Sequence, residues 1–213
     1  MVQIIPAILT NDPDEFERVV QLVEPHTTRA HLDIADGIFV PNETIKGYAE
    51  IERETSNLRY DVHLMVKDPL EQLSHWETEK ADRFIIHAES DNVISAINLL
   101  RQKKKGVGLA LNPGTLVTEA ERYMRYVDFV QFMTVNPGFQ GTEFLDHVVE
   151  KIDDFHKNYP ASVIAVDGGI SPATAKKVIQ AGASVLVSGS LILKSGNVGK
   201  RIEELKKIGE NKV

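Results

Sequence analysis

The stretch His31-Leu32-Asp33-Ile34-Ala35-Asp36-Gly37 alternates polar, chemistry-bearing residues with apolar ones and ends on a glycine. Two further runs share its form: Asp61-Val62-His63-Leu64-Met65-Val66 and Val163-Ile164-Ala165-Val166-Asp167-Gly168-Gly169. Side chains two positions apart on a β-strand return to the same face. His31 and Asp33 therefore point one way, as do Asp61, His63 and Met65. Charged groups facing inward from apolar strands are costly unless paired or bound to a cation. The three runs predict strands, and a site where they end.

Working outward, β-rich runs recur at Gln3–Leu9, Ala30–Ile34, Tyr60–Val66, Arg83–His87, Gly106–Leu111, Val127–Thr134, Ser162–Val166 and Ser184–Val187. Apolar residues at three- and four-residue spacing between them predict helices, among them Pro13–Val23, Val93–Lys104, Asp146–Lys157 and Ala173–Ala181. Asp12-Pro13 and Ser171-Pro172 read as capped helix starts, and Ala181-Gly182-Ala183 as a helix end. Eight strands alternating with helices imply parallel pairing through right-handed crossovers. Closure gives an α/β fold, a (β/α)8 TIM barrel forming one domain over residues 1–213, with its active site at the carboxyl ends of the strands. An open doubly wound sheet would leave polar residues at so many strand ends unexplained. It would also call for a Gly-x-Gly-x-x-Gly after the first strand, which is absent.

Composition narrows the chemistry. A net charge of −7 argues against nucleic acid or an anionic membrane as partner. With no cysteine there are no disulfides and no thiolate ligands. No apolar run approaches the roughly 20 residues that span a bilayer, and the first residues lack a basic leader, so the expected location is cytoplasmic.

In a barrel, His31, Asp33, His63 and Asp167 converge at one mouth. Two imidazoles and two carboxylates suit Zn²⁺, Fe²⁺, Mn²⁺ or Co²⁺ without choosing among them. The plainer alternative is a pair of core histidines satisfied by neighbouring carboxylates. Asp167-Gly168-Gly169 and Ser188-Gly189-Ser190 follow the last two strands, where many barrels hold a phosphate. Asn136-Pro137-Gly138-Phe139-Gln140-Gly141 reads as a hinged loop able to close over a ligand.

Taken in order, His31–Gly37 with Phe39-Val40-Pro41-Asn42, Asp61–Val66, Leu111-Asn112-Pro113, Thr134–Gly141, Val166–Gly169 and Ser188–Ser190 form a signature that resembles the ribulose-phosphate 3-epimerases over essentially the whole chain. The resemblance implies a ribulose-phosphate-binding barrel with one divalent metal ion and no organic cofactor. The implied substrate is a phosphorylated ketose, epimerised at carbon 3 between D-ribulose 5-phosphate and D-xylulose 5-phosphate, as in the pentose phosphate pathway. It assigns His31, Asp33, His63 and Asp167 as metal ligands. Asp33 and Asp167 double as acid and base on opposite faces of the substrate, working through a cis-enediolate. Substrate and phosphate contacts fall to His63, Gly138, Phe139, Gln140, Gly141, Gly168, Gly169, Gly189 and Ser190. Met65 and Met133 support the site, and a homo-oligomer is implied.

The chain departs from the family pattern at Ala7, usually serine, at Ala35, usually methionine, at Ile38, usually histidine, and at Gln140, usually glycine. Ala7 and Ala35 motivate an alternative substrate such as a hexulose 6-phosphate, and the missing serine a barrel that binds sugar phosphate without turnover. A phosphate-sugar decarboxylase would need the Asp-x-Lys-x-x-Asp pattern, and the matching strand has no lysine. His87 reads as a support for the site and Trp76, placed on a helix, as packing. The run Gln102–Gly106 reads as a solvated helix end, and Lys206–Val213 as a fraying tail.

Overall fold

The computed structural model describes residues 2–139 and 141–210. Eight parallel strands close into a barrel in sequence order: β1 Gln3–Ile8, β2 Arg29–Ala35, β3 Arg59–Met65, β4 Ala81–His87, β5 Gly106–Leu111, β6 Phe129–Met133, β7 Val163–Asp167 and β8 Val185–Ser188. β8 returns to pair with β1 through Gln3↔Val185 and Ile5↔Val187. The helices are α1 Pro13–Val23, α2 Tyr48–Arg53, α3 Pro69–Leu73, α4 Val93–Gln102, α5 Thr118–Glu121, α6 His147–Asn158, α7 Pro172–Gln180, α8 Ser190–Leu193 and α9 Val198–Glu210.

Local chemistry explains the boundaries. Asp12 accepts a hydrogen bond from Asp14 N–H at 3.0 Å, and Pro13 opens α1. At α7 the Ser171 hydroxyl accepts from Thr174 N–H while Thr174 Oγ1 accepts from Ser171 N–H, a reciprocal cap that satisfies two otherwise unpaired donors. The buried stripe Phe16, Val19, Val20 and Val23 docks α1 on the barrel. The short helices α2, α3, α5 and α8 lack the length that makes a sequence period visible.

Two expectations are corrected. Lys206–Glu210 does not fray: it completes α9, whose Ile202 and Leu205 are buried. The rest of that predicted tail lies outside the described residues. Trp76 is core packing as expected, edge-on to Phe84 with ring centroids 5.6 Å apart, but it follows α3 instead of lying on it.

The barrel interior is layered. Toward the amino ends of the strands, Arg29 Nη1 lies 2.6 Å from both Asp61 Oδ1 and Asp82 Oδ1, and Arg83 pairs with Asp61 from the other side. Asp61 shares its face with His63 but is consumed by this ionic plug. Above it packs an apolar layer of Ile5, Ile85, Ala110, Phe129, Ala165 and Val185. Phe129 fits because Gly108 faces it: a Cβ there would lie 2.4 Å from Phe129 Cζ. The polar layer of the site lies at the carboxyl ends.

Candidate active site

Register brings the polar residues of the first three strands side by side, with Ala7 paired to His31 and Asp33 to His63. Asp167, the last residue of β7, is level with Met133 of β6. His63 Nδ1 lies 2.8 Å from Asp33 Oδ1 and 3.5 Å from Asp167 Oδ2. His31 Nε2 lies 3.4 Å from Asp33 Oδ1 and 3.6 Å from Asp167 Oδ2. One donor atom from each of the four residues falls within 4.8 Å of the others, and all four residues are buried.

The cluster fits a divalent ion. His31 is fully buried, yet among the described residues neither ring nitrogen finds a hydrogen-bond partner, a costly arrangement unless something else takes the lone pair. Ligand bonds of about 2.0–2.1 Å place neighbouring donors about 2.8–3.4 Å apart in octahedral or tetrahedral shells. The four His–Asp separations, 2.8 to 3.6 Å, run from the lower edge of that range to just beyond its upper edge.

The two carboxylates have opposite proton affinities. Burial disfavours charge on Asp33, but the His31 and His63 imidazoles beside it outweigh burial and hold its carboxyl well below the usual range. Burial and the charge of Asp33 push Asp167 up to about 6, against the opposing effect of the two imidazoles. One carboxylate is thus set to be ionised while its neighbour can hold a proton.

A cavity opens above the cluster. Asp33 and Asp167 form part of its lining with Ala7, Met65 and Met133, and the glycine-rich segments supply Gly138, Phe139, Gly141, Gly168, Gly169, Gly189 and Ser190. Every glycine-loop residue expected at the site therefore reaches one cavity, apart from Gln140, which lies outside the described residues. His63 is fully buried and belongs to the cluster, not the lining. Ala35 is packed with Val40 and Met65, beside Leu9 and Phe39, and does not line this cavity.

Several site neighbours carried no signal strong enough to assign from sequence. Gln131, buried in β6, donates to Asp167 Oδ2 at 3.3 Å. Thr134 donates through Oγ1 to the Gly168 carbonyl at 2.6 Å, bracing the turn after β7. His87, expected from the sequence as a support for the site, stacks against His63 at 5.0 Å between ring centroids, and burial lowers its pKa to about 4, so it is neutral. Glu89 stands next to it, 3.2 Å from His87 Nδ1.

A closed parallel barrel of eight strands with two imidazoles and two carboxylates clustered at their carboxyl ends is a (β/α)8 TIM barrel with a candidate metal centre at its mouth. The model of the "Ribulose-phosphate 3 epimerase family" matches residues 3–193. The chain is 35% identical over 214 residues to a ribulose-phosphate 3-epimerase of Bacillus subtilis (strain 168), covering 97% of this chain and 99% of that one. It is 34% identical over 193 residues to the Treponema pallidum (strain Nichols) protein of the same name, covering 87% and 88%. The chain belongs to the ribulose-phosphate 3-epimerase family and is an isomerase. Among solved structures, a 3-hexulose-6-phosphate synthase overlays with a TM-score of 0.65 at 17% identity, covering 98% of this chain and 99% of that one. An orotidine 5'-monophosphate decarboxylase from Sulfolobus solfataricus overlays at 0.64 and 14%, covering 99% of each. These two likenesses concern the fold alone. Among the described residues no helix is long and apolar enough to cross a membrane.

Proposed function

We propose that the chain, as one barrel domain over residues 1–213, epimerises D-ribulose 5-phosphate and D-xylulose 5-phosphate at carbon 3 with the help of one divalent metal ion. The observation that carries this reading is the buried Asp33–Asp167 pair, with its unequal proton affinities, in the lining of the cavity. Inverting a carbon that bears an acidic hydrogen requires a base on one face and an acid on the other. The ionised aspartate takes the carbon-3 proton, the C–H electron pair forms the carbon-2 to carbon-3 double bond, and the carbonyl π pair of carbon 2 moves onto its oxygen to give an enediolate. The protonated aspartate then delivers its proton to the opposite face, so the two residues exchange states in each turnover.

His31, Asp33, His63 and Asp167 would hold the ion, which when bound supplies positive charge beside the developing oxyanions. Gly168, Gly169, Gly189 and Ser190 would cradle the phosphate with backbone N–H groups. Gly138, Phe139, Gln140 and Gly141 would cover the substrate, with Met65 and Met133 against the sugar carbons. Ala7 lines the cavity where a serine hydroxyl would add polarity. A hexulose 6-phosphate is therefore the second reading, and the intact Asp33–Asp167 pair speaks against a complete loss of turnover.

The test is purified protein of measured metal content, incubated with D-ribulose 5-phosphate in deuterated water with and without chelator. Chelator-sensitive formation of xylulose 5-phosphate with deuterium at carbon 3 is expected. Turnover of a hexulose 6-phosphate with higher kcat/KM would move the assignment to the longer sugar. Metal-loaded protein that exchanges the hydrogen of neither sugar would leave a binding barrel.

A further inference from the structure

A row of polar atoms leads from the loop after β4 to the candidate metal centre. Glu89 Oε1 accepts hydrogen bonds from Asn112 N–H at 2.8 Å and from the Thr115 hydroxyl. Its other oxygen, Oε2, lies 3.2 Å from His87 Nδ1. His87 Nε2 then faces His63 Nε2 at 2.9 Å, and His63 Nδ1 lies 2.8 Å from Asp33.

Two ring nitrogens facing each other at that distance share one proton, and the ends of the row decide which ring carries it. An ionised carboxylate only accepts. Glu89 therefore keeps a proton on His87 Nδ1, which leaves His87 Nε2 as an acceptor. His63 must donate from Nε2, so the proton on its Nδ1, 2.8 Å from the ionised Asp33, is the one that a divalent ion seated between Asp33 and Asp167 would displace. Asp33 alone would favour the tautomer whose only proton is on His63 Nδ1, leaving the free lone pair on Nε2, which blocks ligation through Nδ1. We propose that Glu89 is a positioning residue that fixes, through His87, the ring tautomer in which His63 offers Nδ1 to a divalent ion. The inference rests on the metal reading above and extends it beyond the four ligands. Partners of ligating imidazoles commonly set their tautomer directly; here the setting passes through a second imidazole.

The geometry makes Glu89→Gln informative. The Asn112 N–H is fixed, so the glutamine oxygen must take the Oε1 position. Its NH₂ then falls at Oε2 and points a donor at His87 Nδ1, which inverts the row. Long-range proton–nitrogen NMR of the metal-free protein is expected to place the His87 proton on Nδ1 in wild type and on Nε2 in E89Q. Calorimetric titration with zinc is expected to show affinity reduced roughly 10–100-fold, while thermal melts stay cooperative. In a His87→Gln background, E89Q should add little further loss, because the row is already cut. An unchanged His87 tautomer in E89Q, or equal losses in both backgrounds, would overturn the relay. Wild-type protein that takes up no zinc would overturn the metal reading and this inference with it. Wild-type binding with an unaltered E89Q would sink the relay alone.

Discussion

Asn42 Nδ2 donates to the Gly138 carbonyl at 2.8 Å and so ties the loop after β2 to the loop after β6. The tie crosses the rim of the cavity, where a side chain at position 138 would crowd Val40, its Cβ only 3.1 Å from that of Val40. Losing one neutral hydrogen bond costs about 0.5–1.5 kcal/mol. Asn42→Ala is therefore expected to raise KM roughly two- to tenfold with kcat little changed, and to speed amide exchange in the loop after β6. An unchanged KM would show that this loop takes its closed position without the tie.

Asp33→Asn and Asp167→Asn are each expected to lower kcat by at least ~10³-fold, since positioned acid–base groups contribute about 10²–10⁴ and the same residues would hold the ion. Two readouts separate these roles: bound metal measured directly, and carbon-3 hydrogen exchange measured from each epimer. With two bases, a variant that still binds metal loses exchange from one epimer more than from the other. Retained turnover in both variants would end the two-aspartate assignment.

Burial works against the charge of Glu89, but hydrogen bonds from His87, Thr115 and Asn112 outweigh it and hold its carboxyl at about 2, below its ordinary 4.5. A carboxyl depressed in the folded state adds stability that is fully present above the unfolded value and is lost as pH falls through the folded one. The Tm advantage of wild type over E89Q should thus be largest above pH 4.5 and shrink toward pH 2. A Tm difference that is constant across that window would mean the carboxylate is not held ionised by its neighbours.

The barrel and its central cluster were legible because both are periodic. His31, Asp33 and His63 stand out against apolar neighbours at strand spacing, and Asp167 closes a strand before two glycines. What stayed hidden depends on contacts between distant segments. Asn42 meets Gly138 across 96 residues, Gln131 meets Asp167 across 36, and Glu89 meets Thr115 across 26. Two of these left faint traces. Gln131 is a lone amide within the apolar run Phe129–Met133, and Glu89 follows His87 at strand spacing. Alternation also misled in one place, since Asp61 lies on the same face as His63 but is held by Arg29 and Arg83. Nothing short of the closed barrel tells which end of a strand a carboxylate serves. Similarly, Lys206–Glu210 looks like a polar tail until Ile202 and Leu205 are seen anchoring the turns before it.

Ala7 offers a test in which stability and catalysis move in opposite directions. Its side chain is 4% exposed, lies in register with His31 and lines the cavity with Asp33 and Val187. A hydroxyl placed there without substrate has no assured partner, and an unsatisfied buried hydroxyl costs about 1–3 kcal/mol. With substrate bound, the same hydroxyl faces the polar sugar and can recover that cost as transition-state binding. Ala7→Ser is therefore expected to lower the Tm of the ligand-free protein while leaving kcat/KM on D-ribulose 5-phosphate equal or raised. Paired melting curves and steady-state assays on the pentulose and a hexulose 6-phosphate would decide the matter. A fall in kcat/KM on the pentulose together with a fall on the hexulose would show that the position tolerates only a small apolar group. A gain confined to the pentulose would identify Ala7 as the residue that relaxes specificity in this chain.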